Sequence, residues 1–228
     1  MTPEKPDYLG HRARLLDKLL KKGTDVFEDY EFLELILTRA IPRKDVKPLA
    51  KKLIARFDSL PGVLYADPAE LTRIPGIKQS TVGLFKIIVG ACQRLAHFDM
   101  KKGPILNRWD KLLDYCFLTL SAEEIEHFHI LYLDKRLKLI LDEEHQKGTV
   151  DYTSLYPREV LKRALNLNAS SIVLVHNHPS GNPEPSKEDI RTTLFLKEAL
   201  LTLDIHVHDH LIIGKAKKVF SFKEKSLI

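Results

Sequence analysis

Residues 171–189 read SIVLVHNHPSGNPEPSKED, and this stretch decides how the second half of the chain folds. An apolar run, IVLV, opens it and is typical of a strand buried on both faces. The Pro, Gly and Asn residues after the second histidine interrupt regular structure and indicate a turn. The stretch ends in Ser-x-x-Asp, which is typical of a helix start. The pattern therefore predicts a buried strand, a turn and a helix.

The end of this strand carries His176 and His178. Because residues two apart in a strand face the same side, their imidazoles should project together. Asp189 falls in the first turn of the following helix, from which its carboxylate can reach the same point. Two imidazoles and one carboxylate leave a fourth position for water, the arrangement of catalytic zinc. We predict one Zn²⁺ per chain, although the same ligand types also admit iron or manganese.

Each half of this pattern also has an ordinary structural interpretation. Ser186 and Asp189 fit a capping box, in which each residue bonds to the backbone of the other. His176 and His178 fit a polar strand end. The coincidence of both halves with the intervening Pro-Ser-Gly turn favours the metal site.

A second set of histidines, His206, His208 and His210, alternates along a later predicted strand. By strand parity the three share one face, and Asp209 points the other way. No carboxylate is evident on that face, so a metal site made by this trio alone is disfavoured. The alternative is that His210 lies beside the first site.

Strands and helices alternate through the rest of the C-terminal half, which predicts an α/β or α+β sandwich, and for the whole chain we expect the α+β class. The predicted strands are 127–133, 137–143, 171–178, 205–213 and 219–222, and the predicted helices are 107–120, 157–167 and 187–201.

The N-terminal half predicts a bundle of short helices, because apolar residues recur every three or four positions over residues 8–95. Residues 60–63 (LPGV) and 74–77 (IPGI) resemble helix-hairpin-helix units. In such units a Gly-containing turn opens a helix and directs backbone N–H groups at a phosphate. Lys78 replaces the second glycine of that pattern. Ordinary helix packing and weak, non-specific DNA contact both remain open.

Residues 97–104 (HFDMKKGP) are predicted to be the linker between a helical domain, 1–101, and a second domain, 102–228. Of the chain, 44% is hydrophobic and 29% charged, which is typical of a globular protein. No apolar run has the length of a membrane span, and the first residues lack an export signal. We therefore expect a cytoplasmic protein. Cys92 and Cys116 are expected to be buried thiols.

The net charge is +5, and its excess lies in the N-terminal half. Residues 1–100 hold 17 Lys and Arg against 13 Asp and Glu, and the remaining residues hold 19 against 18. This bias is compatible with a nucleic-acid backbone as partner but is weaker than that of a dedicated binder.

The spacing His176-x-His178, then Ser186-x-x-Asp189, resembles the JAMM (MPN+) metalloprotease signature, and the run HNHPSG is similar to its RadC-like (UPF0758) branch. The resemblance covers nearly the whole chain. Further matching positions are Gly148-Thr149, Tyr156-Pro157-Arg158-Glu159, Ala164-Leu165 and Asp209-His210. It implies a helical N-terminal domain and a C-terminal α/β/α sandwich of the MPN type, which is similar to cytidine deaminases.

The resemblance also implies a general base. Residues 126–134 (EHFHILYLD) match the RadC-like strand pattern, which selects Glu126; the competing carboxylates are Glu123, Glu124, Glu143 and Glu144. The implied activity is metallopeptidase cleavage of peptide or isopeptide-like bonds, with Glu126 moving protons and Ser186 stabilising the oxyanion. Hydrolysis of a nucleotide-like or other amide stays open. The alternative is a DNA-associated protein, related to repair or recombination, in which the metal domain is a structural or recruitment module.

Overall fold

The computed structural model describes residues 7–147, 156–215 and 217–228. Gly148 and Thr149, which belong to the RadC-like pattern, lie outside these ranges. The chain divides into two compact units between Ala91 and Cys92, earlier than the boundary predicted after residue 101. The domain limits 1–101 and 102–228 stay a prediction.

Helices build the described part of the first unit, as the apolar spacing predicts. They are α1 (Asp7–Lys22), α2 (Asp29–Ala40), α3 (Lys47–Phe57), α4 (Leu60–Tyr65), α5 (Pro68–Thr72) and the start of α6 (Gln79–Met100). Ser59 and Asp67 cap α4 and α5 through their side-chain oxygens, and a proline follows in each first turn, where a missing N–H costs nothing. The core includes Leu33, Leu53 and Phe85.

The two stretches that look alike in sequence differ in structure. Gly62 lies inside the first turn of α4, where its N–H donates to Ser59 Oγ at 3.1 Å. A Cβ there would lie 2.0 Å from the Phe57 carbonyl oxygen, so only glycine fits. Gly76 instead has a φ of +101° in the turn before α6. Only the second stretch is therefore a glycine turn that opens a helix.

Two expectations for α6 are wrong. The helix continues to Met100, which is buried in the core of the second unit, so the linker does not begin at residue 97. Cys92 is exposed rather than buried, because the buried positions of α6 in the first core end with Phe85. At 22 residues α6 is the longest described helix, and no helix of the described ranges is long and apolar enough to cross a membrane.

The second unit is an α/β/α sandwich, which confirms the predicted fold class. After a 3-10 turn (Ile105–Arg108) the elements are α7 (Trp109–Leu120), β1 (His127–Leu133), β2 (Leu139–Lys147), α8 (Pro157–Asn166), β3 (Ser171–Asn177), α9 (Lys187–Leu201), β4 (His206–Ile213) and β5 (Val219–Ser221). Among the described strands the order is β2-β1-β3-β4-β5, and only the β3–β4 pair is parallel.

Helices cover both faces of this sheet, which explains the unbroken apolar run of β3. Val173 and Val175 pack on the face covered by α7. Ile172 and Leu174 pack on the opposite face, against α8 and α9. Every residue of β3 is buried, so the strand is a fixed platform for whatever its end carries.

A bulge interrupts the pairing of β3 with β4. Ile172 is paired with Val207, but the next residue, Val173, is paired with Asp209, so His208 is the additional residue. A single extra residue reverses the alternation of every later side chain in the strand.

The bulge overturns the prediction that the three β4 histidines share a face. His206 is exposed, and His208 lies beside Trp109 with ring centroids 6.2 Å apart. His210 is buried and faces the α9 side, while Asp209 faces the α7 side. Sequence parity failed because a bulge depends on how strands pair, not on the order of residues along one strand.

The buried Asp209 carboxylate ties β4 to the segment after β5. It accepts hydrogen bonds from the His210 N–H (2.7 Å), the Ser221 hydroxyl (2.6 Å) and the Lys223 N–H (3.0 Å). Since a buried donor without an acceptor costs free energy, this carboxylate stabilises the sheet edge.

We expect Asp209→Ala to lower the free energy of unfolding of the second unit by roughly 2–4 kcal/mol, because three donors lose their acceptor. The fluorescence of Trp109, the sole tryptophan, followed in urea measures this change. Asp114→Ala is the control: Asp114 is half exposed in a surface pair with Lys111, and its loss should change the value by less than about 0.5 kcal/mol. Equal effects of the two substitutions would contradict the assignment.

Candidate metal centre

His176 occupies the end of β3 in an apolar setting. It is fully buried, and its ring stacks on Phe128 with centroids 5.6 Å apart. Its Nδ1 lies 2.8 Å from His210 Nε2, and its Nε2 lies 3.0 Å from His178 Nε2. The two imidazoles therefore meet at one point, as the strand spacing predicts.

His178 follows the strand and is held by the backbone on both sides. Its N–H donates to the Ile213 carbonyl at 3.0 Å, which extends the pairing with β4 by one bond. Its Nδ1 lies 2.9 Å from the Asn182 carbonyl oxygen. Because a carbonyl can only accept, Nδ1 carries a hydrogen and Nε2 faces His176.

The loop after His178 is locked against the end of β4. Gly181 has a φ of +84°, and its carbonyl accepts from the Lys215 N–H at 3.2 Å. A Cβ on Gly214 would lie 2.5 Å from the same carbonyl oxygen. Both glycines are thus required by conformation or close approach, and they fix the path of the chain from β3 to α9.

Asp189 is both a capping residue and a member of the cluster. Its Oδ2 accepts from the Ser186 N–H and the Ser186 hydroxyl, each at 2.7 Å, and Ser186 Oγ accepts from the Asp189 N–H at 3.1 Å. Its Oδ1 lies 3.4 Å from His176 Nε2, and Oδ2 lies 3.6 Å from His178 Nε2. The capping and ligand interpretations of Ser186-x-x-Asp189 are therefore compatible.

Glu126 precedes β1 and approaches the cluster from the neighbouring strand. Its Oε1 lies 3.9 Å from His176 Nε2, and its side chain is 14% exposed. The other four glutamates considered all lie in described ranges, and none belongs to this cluster. Glu143 pairs with Arg163 at 2.8 Å, whereas Glu123 and Glu144 flank His127.

Asn177, between the two histidines, holds the segment that carries Glu126. Its Oδ1 accepts from the His127 N–H at 2.8 Å, and its Nδ2 donates to the Ile125 carbonyl at 3.0 Å. This role of Asn177 was not predicted from the sequence. The signal was a buried amide on the strand face opposite the imidazoles, because such a group needs partners.

The spacing of the four side chains fits a metal ion. One ligand atom from each of Glu126, His176, His178 and Asp189 lies within 4.8 Å of the others. Tetrahedral ligands at about 2.0–2.1 Å from zinc are about 3.3 Å from one another. The observed 3.0, 3.4 and 3.6 Å between the histidine and aspartate atoms scatter around that value.

Burial and charge shape the protonation of these groups. Burial lowers the pKa of His176 to about 4 and lowers that of His210 well below its ordinary value. The adjacent Asp189 carboxylate raises the pKa of His178. Burial alone would raise the pKa of Asp189, but His178, His176 and Ser186 together hold it below its usual range. Anionic Asp189 beside neutral His176 suits a cation.

A second group in the described ranges, His127, His129 and Glu144, has different geometry. His127 Nδ1 lies 2.5 Å from Glu144 Oε1, which is a direct hydrogen bond rather than a separation across a metal ion. His129 Nδ1 likewise bonds Asp142 Oδ1 at 2.9 Å. This group lies on the other face of the sheet, and the Nδ1 atom of each histidine already has a carboxylate partner.

Comparison with known proteins agrees with this architecture. The RadC-like JAB domain family matches residues 106–227, and the UPF0758 N-terminal family matches residues 9–82. A UPF0758 protein of Rhodobacter capsulatus is 47% identical over 94% of this chain and all of its own length. The chain belongs to the UPF0758 family. Another member, from Ruegeria pomeroyi, is 43% identical over 98% of this chain and all of its own length.

Membership in this family confirms the recognised resemblance and brings a JAB-type domain, which is compatible with metal-dependent hydrolysis. The relatives carry only the family designation as a name. The assignment of His176, His178 and Asp189 as ligands, and of Glu126 and Ser186 as catalytic residues, stays a prediction.

We expect Gly214→Ala to disturb the loop that carries His178, because the new Cβ would overlap the Gly181 carbonyl oxygen. The predicted loss is roughly 1–3 kcal/mol of unfolding free energy, measured by Trp109 fluorescence in urea. Gly103→Ala is the matched control in the same unit, since its Cβ would meet only the Arg108 side chain, at an ordinary contact distance of 3.9 Å. An unchanged stability of the Gly214 variant would show that the contact is not tight.

Proposed function

We propose that this protein is a zinc-dependent hydrolase, a metallopeptidase that cleaves peptide or isopeptide-like bonds. The observation that carries the proposal is the meeting of His176 Nε2, His178 Nε2 and carboxylate oxygens of Asp189 and Glu126 within 4.8 Å. Three of these four groups would hold the ion, and Glu126 would remain for proton transfer. Iron or manganese would satisfy the same ligands.

Bound zinc supplies Lewis acidity, which polarises a carbonyl group and lowers the pKa of a coordinated water. His176 and Asp189, both almost fully buried, would hold the ion at the base of the site. His178 is more exposed and would form the wall nearest the solvent. A substrate amide would approach from this solvent side.

Glu126 is suited to move protons because its Oε1 lies 3.9 Å from His176 Nε2 and its side chain is still partly exposed. As general base it would take a proton from the attacking water, and as general acid it would return that proton to the leaving amine. Asn177 would fix the backbone of this segment on both sides of Glu126. The position of Glu126 therefore depends on the pairing of β1 with β3.

Ser186 is assigned two tasks. In the resting arrangement its hydroxyl hydrogen points at Asp189 Oδ2, which orients the carboxylate. During hydrolysis we assign its hydroxyl to the developing oxyanion, which requires rotation away from Asp189. The peptide or isopeptide class of substrate rests on the family resemblance.

We expect wild-type protein to retain about one zinc ion per chain after dialysis. His178→Ala should lose the ion, because only two of its three protein ligands would remain. Glu126→Gln should keep the metal but hydrolyse a peptide library at least about 100-fold more slowly, since it removes the proton acceptor. Elemental analysis and mass spectrometry measure the two effects.

The control for metal content is His206→Ala, which removes an exposed histidine of β4 outside the cluster. It should retain zinc at the wild-type level. Equal zinc in wild type and His178→Ala would overturn the metal site, and undiminished hydrolysis by Glu126→Gln would overturn the base.

A second function, weak and non-specific DNA contact by the N-terminal unit, is favoured by a groove of about 680 Å³ at the start of α6. The turn residue Gly76 lines it, together with the cationic side chains of Arg43, Lys44, Lys52 and Lys78. Free N–H groups at the start of a helix add partial positive charge. A phosphate backbone has the complementary charge.

If this groove binds duplex DNA, the affinity should fall as the salt concentration rises. Binding releases counterions from the DNA, and this release is less favourable at higher salt. Lys78→Glu should weaken binding about tenfold and lower the salt dependence. Lys86→Glu makes the same charge change on the exposed side of α6 outside the groove and should weaken binding much less. Binding that is absent, independent of salt, or weakened equally by both substitutions would contradict DNA binding by this groove.

A further inference from the structure

His210 makes contacts that none of the proposed catalytic steps uses. Its ring is 1% exposed and stacks on Phe222, with centroids 4.7 Å apart and an angle of 23° between the rings. Its Nε2 lies 2.8 Å from His176 Nδ1, and its Nδ1 lies 2.6 Å from Thr193 Oγ1. Both ring nitrogens are therefore engaged by named partners.

The hydrogen bonds run in series from His176 through His210 to Thr193. The acceptor at the Thr193 end decides which atom donates in each of them. Thr193 Oγ1 lies 2.5 Å from the Asp189 carbonyl oxygen, which can only accept, so the hydroxyl hydrogen points there. Thr193 Oγ1 must then accept from His210 Nδ1–H. A neutral His210 has a lone pair on Nε2, and this lone pair accepts from His176 Nδ1–H.

One consequence concerns His176 itself. With its hydrogen on Nδ1, the neutral ring presents the lone pair of Nε2, the atom that faces His178, Asp189 and Glu126. The opposite tautomer would place a hydrogen on Nε2, where a metal ion must bind. The position of one hydrogen therefore decides whether this imidazole is a ligand.

We propose that His210 and Thr193 are positioning residues that hold His176 in the tautomer with a free Nε2 lone pair, so that the ring is ready to bind a metal ion. This inference rests on the proposed metal site but concerns residues outside it. Ligating histidines commonly donate their second N–H to a neighbouring acceptor, and loss of such an acceptor weakens metal binding about 10–100-fold. Here the acceptor is another histidine, whose own tautomer is fixed by a threonine.

The bulge at His208 makes this contact possible. Without the extra residue, regular pairing from Val207 onward would place Asp209 beside Leu174 and turn His210 to the α7 face. With it, His210 lies beside Leu174 on the face that carries His176. The bulge therefore directs an imidazole toward the cluster, in keeping with the frequent occurrence of bulges near functional sites.

The test is the affinity of the purified chain for Zn²⁺, measured by competition with a chelator. Thr193→Val replaces the hydroxyl with a methyl group of similar size and should weaken Zn²⁺ binding about tenfold, because His210 then loses the acceptor that fixes its tautomer. Thr193→Ser restores a hydroxyl and should recover most of the affinity. Recovery separates the tautomer effect from a general loss of packing.

Thr119→Val is the matched control. Thr119 also donates to the carbonyl four residues before it, Tyr115, at 2.8 Å, but in α7 on the other face of the sheet. It loses the same kind of bond and should bind Zn²⁺ like the wild type. Thr193→Val with unchanged affinity, or the two valine variants weakened equally, would overturn the proposal while leaving the metal site intact.

A second measurement needs no metal ion. Long-range ¹H–¹⁵N correlation spectra of the imidazole rings should show the hydrogen of His176 on Nδ1 in the wild type and a shift of population toward Nε2 in Thr193→Val. A hydrogen on Nε2 of His176 in the metal-free wild type would contradict the proposed control of the His176 tautomer. Because this measurement is independent of zinc, it can contradict the tautomer proposal without contradicting the proposed function.

Discussion

Burial of β3 on both faces is the constraint on which the cluster depends. Helix α7 covers one face, and α8 and α9 cover the other, so the strand has little freedom to move. Its last residues are held in place as well. Because side chains alternate between the two faces of a strand, His176 lies on one face and Asn177 on the other. The same strand end therefore presents an imidazole to the cluster and an amide to the segment that carries Glu126.

Helix capping contributes the other half of the site. A helix start needs an acceptor for its free N–H groups, and Ser186 with Asp189 provides this through reciprocal bonds. The bonds also set the direction of the Asp189 carboxylate, whose Oδ1 is left facing His176. A stabilising interaction that any helix could have thus becomes a means of orienting a ligand.

The sequence predicted those features that depend on local pattern. The apolar run of β3 and the Ser-x-x-Asp start of α9 gave the strand, turn and helix, and β1 was predicted at its observed limits. Features that depend on pairing between strands were not predictable in this way. The bulge at His208 and the clamp by Asn177 exist only once β3 has neighbours. Glu126 was selected by family resemblance, not by spacing.

X-ray absorption of the zinc-loaded chain tests the central claim most directly, because it reports which atoms surround the ion. Two imidazole nitrogens and oxygen ligands at about 2.0–2.1 Å, four ligands in all, are the expected result. A shell containing sulfur at about 2.3 Å, or one made of oxygen atoms without imidazole, would contradict a site built from His176, His178 and Asp189.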